Sequence, residues 1–106
     1  MIDVYLFWSG LSKFEDLDQL RPGEIMHIHW GDVPDMPREL LDSRTRAIPG
    51  EGVTPLVRIL RKLAEKGYSG PASVELFGQH QQADPYDLAR HIREKAEPIM
   101  RQAGVL

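Results

Sequence analysis

Three runs of β-favouring apolar residues alternate with segments in which apolar residues recur at helical spacing. Met1 to Trp8, Ile25 to Trp30 and Ala72 to Phe77 predict strands, because such residues suit a pleated, buried surface. The first run is almost continuously apolar, which is typical of a strand covered on both faces. The third run alternates instead, and this alternation predicts that Glu75 and Phe77 point to the same face.

The segments between the strands predict helices with recognisable starts. Residues 12–15 have the pattern of a capping box, and a short helix is expected from there to about Leu20. Thr54 and Pro55 predict a second helix, with a capping side chain followed by proline at the first helical position. An apolar stripe follows at helical spacing, and Gly67 is the expected C-terminal cap.

The last helix and the order of elements define the expected fold. Asp84 and Pro85 repeat the start of the second helix, and Pro98 is expected to kink or end the third. A long polar loop, Gly31 to Gly52, precedes the second helix, and loops of this length are usually functional. Strands alternating with helices predict a single α/β domain over residues 1–106, with parallel strands and ligands bound beyond their carboxyl ends.

Four ionisable residues stand inside the predicted strands, namely Asp3, His27, His29 and Glu75. A buried carboxylate is costly unless it is paired or binds a metal, and the two histidines point to the same side of their strand. Imidazole and carboxylate together suit a divalent ion such as manganese, magnesium, cobalt or zinc. The alternatives are a structural or surface histidine pair, a salt-bridged core Glu75, and an Asp3 close to a frayed terminus.

Composition narrows the classes of function. The net charge is −3 with 27% charged residues and no basic block, so no nucleic-acid partner is expected. The absence of cysteine excludes disulfides and thiolate metal sites, and fits a cytoplasmic protein. No apolar run approaches the ~20 residues of a transmembrane helix, so no membrane partner is expected. His80 is expected in a loop and His91 on a helix surface, with no role for either.

Taken together, five segments of the chain resemble the xylose-isomerase-like TIM-barrel superfamily of sugar phosphate isomerases and epimerases. In chain order they are DVYLFW, HIHWGD, RAIPGEG, EKGYSGPASVELF and DPYDLARHI. The resemblance covers nearly the whole chain and corresponds to the last three βα units of a (β/α)8 barrel. It implies an incomplete TIM barrel in this chain, and it extends to the ketose 3-epimerases and the enzymes of inositol catabolism.

The resemblance also implies roles for single residues. Asp3, His29 and Glu75 match metal ligands of the sixth, seventh and eighth strands, and Glu75 also matches a catalytic acid/base. Arg46 matches a substrate-contacting arginine, although its loop is longer here. His27 is expected to face the substrate or to lie just behind the ligands. These roles imply metal-dependent aldose–ketose isomerisation or ketose epimerisation through an enediolate, with a hydride shift as the alternative chemistry.

This sequence departs from the family pattern at two points. Leu6 stands where many relatives have a histidine, three residues after the strand-six aspartate. No residue corresponds to the metal-binding glutamate of the fifth strand, which is also the second acid/base of the epimerases. The chain therefore has three of the usual four ligands and one of two catalytic carboxylates.

Three parallel strands cannot close an eight-stranded barrel, so we expect an open face and unpaired strand edges. The expected partner is a second copy of the chain or a missing N-terminal half-barrel. The first functional hypothesis is an isomerase or epimerase acting on a small sugar or polyol-derived substrate. The second is a non-catalytic, truncated remnant that folds as an oligomer. The third is a metal hydrolase similar to abasic-site endonucleases, which the acidic charge balance disfavours.

Overall fold

The chain forms one open parallel sheet, seen in a computed structural model that describes residues 1–77 and 84–106. Its strands lie in the order β1-β2-β3, with parallel pairing on both sides of β2. Their bounds are Ile2–Asp3 for β1, Ile28–Trp30 for β2 and Ala72–Val74 for β3. The predicted α/β class with parallel strands is confirmed. His80, expected in a loop, lies outside the described residues.

Within residues 1–77 and 84–106, three α-helices and three short 3₁₀ helices connect and cover these strands. The α-helices are α1, Val4–Ser9; α2, Leu56–Glu65; and α3, Pro85–Ala103. The 3₁₀ helices comprise Phe14–Gln19, Arg38–Leu40 and Ser43–Thr45. Among the described residues, no helix is long and apolar enough to cross a membrane.

The predicted strand from Met1 to Trp8 is correct only as far as Asp3. Helix α1 follows at once, and the Asp3 carboxylate caps it by accepting a hydrogen bond from the backbone N–H of Leu6 at 3.1 Å. Val4 and Tyr5 are buried in the folded chain. Tertiary packing of this helix therefore outweighs the weak preference of its β-branched and aromatic residues for strands.

The expected starts and ends of two helices also differ from the structure. Pro55, not Thr54, occupies the N-cap position of α2, and the Thr54 hydroxyl instead accepts a hydrogen bond from Val33 N. Helix α3 runs through Pro98 to Ala103, so the proline does not end it, and the alternative of a kink at Pro98 stays a prediction. By contrast, the carboxylate of Asp84 caps α3 as predicted, accepting hydrogen bonds from the backbone of the first turn.

Half of a capping box forms at the first 3₁₀ helix, one residue later than expected. Lys13 N donates to the Asp16 carboxylate at 2.8 Å, and Asp16 N donates back to Lys13 O at 2.9 Å. The helix that follows, Phe14–Gln19, is tighter than the predicted α-helix but lies where it was expected.

The hydrophobic core lies on one side of the sheet, between the strands and the helices. Ile28 and Trp30 of β2 are buried against this core, while His29 and the preceding His27 alternate with them and point the other way. The largest core contributions come from α2, which packs against both the sheet side chains and α3. The side of the sheet that carries the histidines is thus left for polar side chains.

Candidate functional site

Three of the predicted site residues meet at the carboxyl ends of the three strands. In the sheet register Asp3 lies opposite His29, and His29 lies opposite Ser73, two residues before Glu75. Because side chains alternate along strands, these residues point to the same side. One ligand atom from each of Asp3, His29 and Glu75 lies within 4.8 Å of the others, and His29 Nδ1 is 3.1 Å from Glu75 Oε2.

The donor set of this cluster fits a divalent cation. Two carboxylate oxygens and one imidazole nitrogen are ligands that Zn²⁺ and similar ions accept, and three protein ligands are typical of a site that keeps a position open for substrate. His29 and Glu75 are partly exposed, so a small molecule can reach them. Asp3 is more enclosed, with a side chain 8% exposed.

Arg46 lies directly beside these carboxylates. Its Nη1 is 3.1 Å from both Asp3 oxygens and 3.8 Å from Glu75 Oε2. The Arg46 side chain is only 3% exposed, and its guanidinium lies over the rings of Tyr5 and Phe77, at 4.6 and 4.8 Å from their centroids. A buried cation of this kind is stabilised by carboxylates and by aromatic faces, and here it has both.

Tyr5 anchors the loop that carries Arg46, a role that the sequence did not reveal. Its hydroxyl donates to Asp42 O at 2.7 Å and lies 2.5 Å from Thr45 Oγ1. The sequence pattern placed Tyr5 in a strand, where its hydroxyl would have had no defined partner. The signal available was a phenolic hydroxyl within an apolar run, because a buried tyrosine hydroxyl usually has a hydrogen-bond partner.

Asp32 is a second residue whose contribution sequence reasoning missed. It is buried, and its carboxylate accepts hydrogen bonds from the backbone of the loop that leads to α2. The available signal was its place three residues after His29 together with the glycines of Pro49-Gly50-Glu51-Gly52. Glycine at position 52 is required, since an added Cβ would lie 2.3 Å from Val33 O.

His27 lies next to the cluster rather than within it. Its Nε2 is 3.0 Å from Ser73 Oγ, and its ring packs edge-on against that of His29 with centroids 4.9 Å apart. Leu6 has an exposed side chain and contributes its backbone N–H to Asp3. His91 is exposed on α3, with Nε2 2.7 Å from Glu51 Oε2.

Comparison with known proteins identifies the family that the chain is similar to. The sequence profile of the family described as "Xylose isomerase-like TIM barrel" matches residues 1–100. An inosose isomerase from Halalkalibacterium halodurans is 38% identical over 77 residues, which is 73% of this chain and 27% of that protein. The inosose isomerase of Bacillus subtilis is 35% identical over the same length, covering 28% of that protein. The chain therefore spans little more than a quarter of these curated relatives.

Solved structures give the same result. A xylose isomerase domain protein from Alicyclobacillus acidocaldarius superimposes with a TM-score of 0.83 and 32% identity, over 98% of this chain and 37% of that one. The IolI protein, whose crystal structure contains a bound zinc atom, gives a TM-score of 0.73 and 30% identity, over 97% of this chain and 36% of that one. The resemblance stated from the sequence is thereby confirmed: the chain belongs to the xylose isomerase-like TIM-barrel family.

Proposed function

We propose that this chain forms part of a metal-dependent isomerase or epimerase acting on a small sugar or polyol-derived ketone. The observation that carries the proposal is the convergence of the Asp3, His29 and Glu75 ligand atoms within 4.8 Å at the carboxyl end of the sheet. Similarity to two inosose isomerases supports a cyclic polyol ketone as the substrate class. The family fold alone would be compatible with many chemistries, so the site residues carry the argument.

In this proposal Asp3, His29 and Glu75 hold the cation. The zinc atom in the IolI structure supports zinc as the first ion to test, with manganese, magnesium and cobalt as the other ions compatible with this donor set. When bound, the cation supplies Lewis acidity to a carbonyl oxygen of the substrate.

Glu75 is the proposed acid/base. Its carboxylate is partly exposed and 3.1 Å from His29 Nδ1, so it can face both the ligand cluster and an incoming substrate. Removing a proton from the carbon beside a carbonyl produces an enediolate, and returning the proton to either carbon gives isomerisation or epimerisation. One carboxylate of this chain can transfer a proton on one face of the substrate only.

Arg46 and His27 are the proposed substrate-binding residues. The Arg46 guanidinium is fixed beside the carboxylates, where its positive charge can stabilise negative charge that develops on a substrate oxygen. His27 lies 3.0 Å from Ser73 Oγ, and this pair offers a hydrogen-bonding edge to a substrate hydroxyl.

The second catalytic carboxylate and the fourth metal ligand are proposed to come from outside this chain. Residues 1–106 act in this proposal as a single partial-barrel domain. Strands β1 and β3 are the two edges of the sheet, and each has one strand neighbour among the described residues. An N-terminal half-barrel or a second copy that pairs with these edges would cover the side of the sheet that carries the site.

Two measurements test the proposed function in sequence. Thermal unfolding of the chain is followed during titration with zinc and then manganese, and a saturable rise in Tm is expected because a ligand that binds only the folded state stabilises it. The chain is then mixed with an N-terminal half-barrel from a relative, and incorporation of solvent deuterium into an inosose is measured by NMR. The proposal is refuted if the metals cause no shift in Tm and the mixture shows no deuterium exchange above that of the Glu75→Gln control.

A further inference from the structure

Asp32 holds a buried negative charge that is balanced by backbone amides. Its side chain is 1% exposed, and no ion pair seen in the described part of the chain includes it. Oδ1 accepts from Val33 N and Thr54 N, each at 2.9 Å. Oδ2 accepts from Gly50 N at 2.9 Å and Gly52 N at 3.0 Å. Four amide donors stabilise a carboxylate strongly, and they fix the path of the donating backbone.

The backbone of Asp32 fixes a different part of the same loop. Asp32 N donates to Ala47 O at 2.8 Å, and Ala47 N donates back to Asp32 O at 2.9 Å, forming an isolated antiparallel bridge. Ala47 directly follows Arg46. Asp32 thus joins the end of β2 to the chain immediately after Arg46, and its side chain fixes the stretch from Gly50 to Thr54 that leads into α2.

We propose that Asp32 is a positioning residue: it fixes Arg46 against Asp3 and thereby sets the affinity of the neighbouring site for a divalent cation. Asp32 itself contacts neither the cation nor the substrate. The claim about affinity rests on the proposed function, since it requires that Asp3, His29 and Glu75 bind the cation. The claim about Arg46 does not, because it concerns only the arrangement of side chains in the chain alone.

Two glycines, Gly50 and Gly52, allow the loop backbone to approach the Asp32 carboxylate closely. A Cβ added at Gly52 would lie 2.7 Å from Asp32 Oδ1 and 2.3 Å from Val33 O, so the backbone approaches the carboxylate as closely as glycine allows. Gly50 adopts φ +92°, a conformation that other residues rarely take. Both glycines donate their backbone N–H to Asp32 Oδ2.

Asp32→Asn is the informative substitution, with Asp35→Asn as its control. Asparagine keeps one acceptor oxygen but turns an NH₂ group toward two amide donors, so it disrupts one half of the cradle. Asp35 is exposed on the same loop, and its substitution removes the same charge. Should Asp32→Asn not fold, Gly50→Ala perturbs the same Oδ2 contact through backbone strain at φ +92° and not through a clash, since its Cβ would lie 3.4 Å from Ile99 Cδ1 and 4.0 Å from Lys95 O.

The position of Arg46 is measured by NMR without metal. Because the guanidinium lies over the Tyr5 and Phe77 rings, its side-chain signals are expected to be displaced by ring currents. In Asp32→Asn these signals should move toward the values of a free arginine, and the Ala47 amide should exchange with solvent faster. Asp35→Asn should leave both unchanged. Arg46 signals that stay in place in a folded Asp32→Asn protein would overturn the positioning role.

The link to metal affinity is measured by calorimetric titration with zinc in a double-mutant cycle. Asp32→Asn is expected to lower the zinc Kd roughly threefold to tenfold, which is the direction expected for Arg46→Gln. In a protein that already carries Arg46→Gln, Asp32→Asn should change the zinc Kd less than about twofold. Additive effects of the two substitutions would show that Asp32 acts independently of Arg46. If the wild-type chain binds no zinc, the proposed metal site and the claim about affinity are both refuted. The NMR signals of Arg46 then test by themselves whether Asp32 positions Arg46.

Discussion

His29 Nδ1 lies 3.1 Å from Glu75 Oε2, and this contact joins the ends of two neighbouring parallel strands, β2 and β3. Both residues stand where an otherwise apolar strand ends, and both point away from the core. Asp3 reaches the same point from β1. A polar cluster assembled from successive strands in this way is the arrangement by which barrel enzymes bring ligands together at one end.

Glu75→Gln is expected to weaken zinc binding by at least about tenfold. Mutating residues that only orient metal ligands already lowers metal affinity roughly 10–100-fold, and Glu75 is a proposed ligand itself. The measurement is calorimetric titration of the chain with zinc. Glu94→Gln is the matched control, since Glu94 is exposed on α3 and is not a member of the Asp3, His29 and Glu75 cluster. Equal zinc affinity in the Glu75 variant and the control would remove Glu75 from the metal site.

Arg46→Gln is expected to tighten zinc binding by about tenfold, while abolishing turnover in the reconstituted barrel. The guanidinium competes for the Asp3 oxygens, and its positive charge repels a nearby divalent ion. Zinc affinity and deuterium exchange are measured on the same samples. Arg44→Gln, an exposed change on the same loop, should alter neither quantity. Weaker zinc binding in Arg46→Gln would mean that Arg46 mainly orients Asp3.

Gly52→Ala is expected to lower the free energy of unfolding by about 2 kcal/mol or more, because its Cβ would overlap Val33 O and the Asp32 carboxylate. Gly23→Ala is the comparison: Gly23 has φ +87° and open space around it, so only backbone strain of about 1–2 kcal/mol is added. Urea denaturation measures both. A Gly52 variant no less stable than the Gly23 variant would show that the loop relaxes around the added methyl group.

Asp18→Asn is expected to reduce the loss of stability that the protein undergoes at acidic pH. The hydrogen bond from Lys62 lowers the pKa of Asp18 and raises the pKa of Lys62, and this pair ties the first 3₁₀ helix to α2. A lowered carboxylate pKa contributes stability above its unfolded value of about 3.9, and that stability is lost as the pH falls through the folded value. Because the pair is exposed, the expected effect is small.

Thermal unfolding at about pH 6 and about pH 3 measures this effect. The drop in Tm between the two pH values should be smaller in Asp18→Asn than in the wild type, and Asp35→Asn should retain the wild-type drop. An identical drop in all three proteins would show that the pair does not contribute to stability.

The cluster itself could be predicted from the sequence because two simple rules suffice. Side chains alternate along a strand, and the carboxyl ends of parallel strands meet at one edge of the sheet. Asp3, His27, His29 and Glu75 are polar residues in apolar strands, so these rules bring them to one side of the sheet without knowledge of any loop, and the family resemblance selects His29 from the two histidines. The same reasoning failed immediately after Asp3, where burial of Val4 and Tyr5 favours a helix over the strand that their residue types suggest.

The surroundings of Arg46 could not be predicted in the same way. Its contacts with Tyr5, Phe77 and Asp3 join three distant parts of the chain through an irregular loop, and no periodicity specifies the path of such a loop. The same holds for Asp32, whose partners are backbone amides. Such groups are present at almost every position, so the sequence does not indicate which of them a buried carboxylate binds.

The central claim is tested most directly by a crystal structure of the zinc-loaded chain, with diffraction data collected on both sides of the zinc absorption edge. The account predicts one strong anomalous peak bonded to a carboxylate oxygen of Asp3, an imidazole nitrogen of His29 and a carboxylate oxygen of Glu75, at about 2.0–2.2 Å from each. A peak elsewhere on the chain, such as beside His91 and Glu51, with none between the three strand ends, would contradict it.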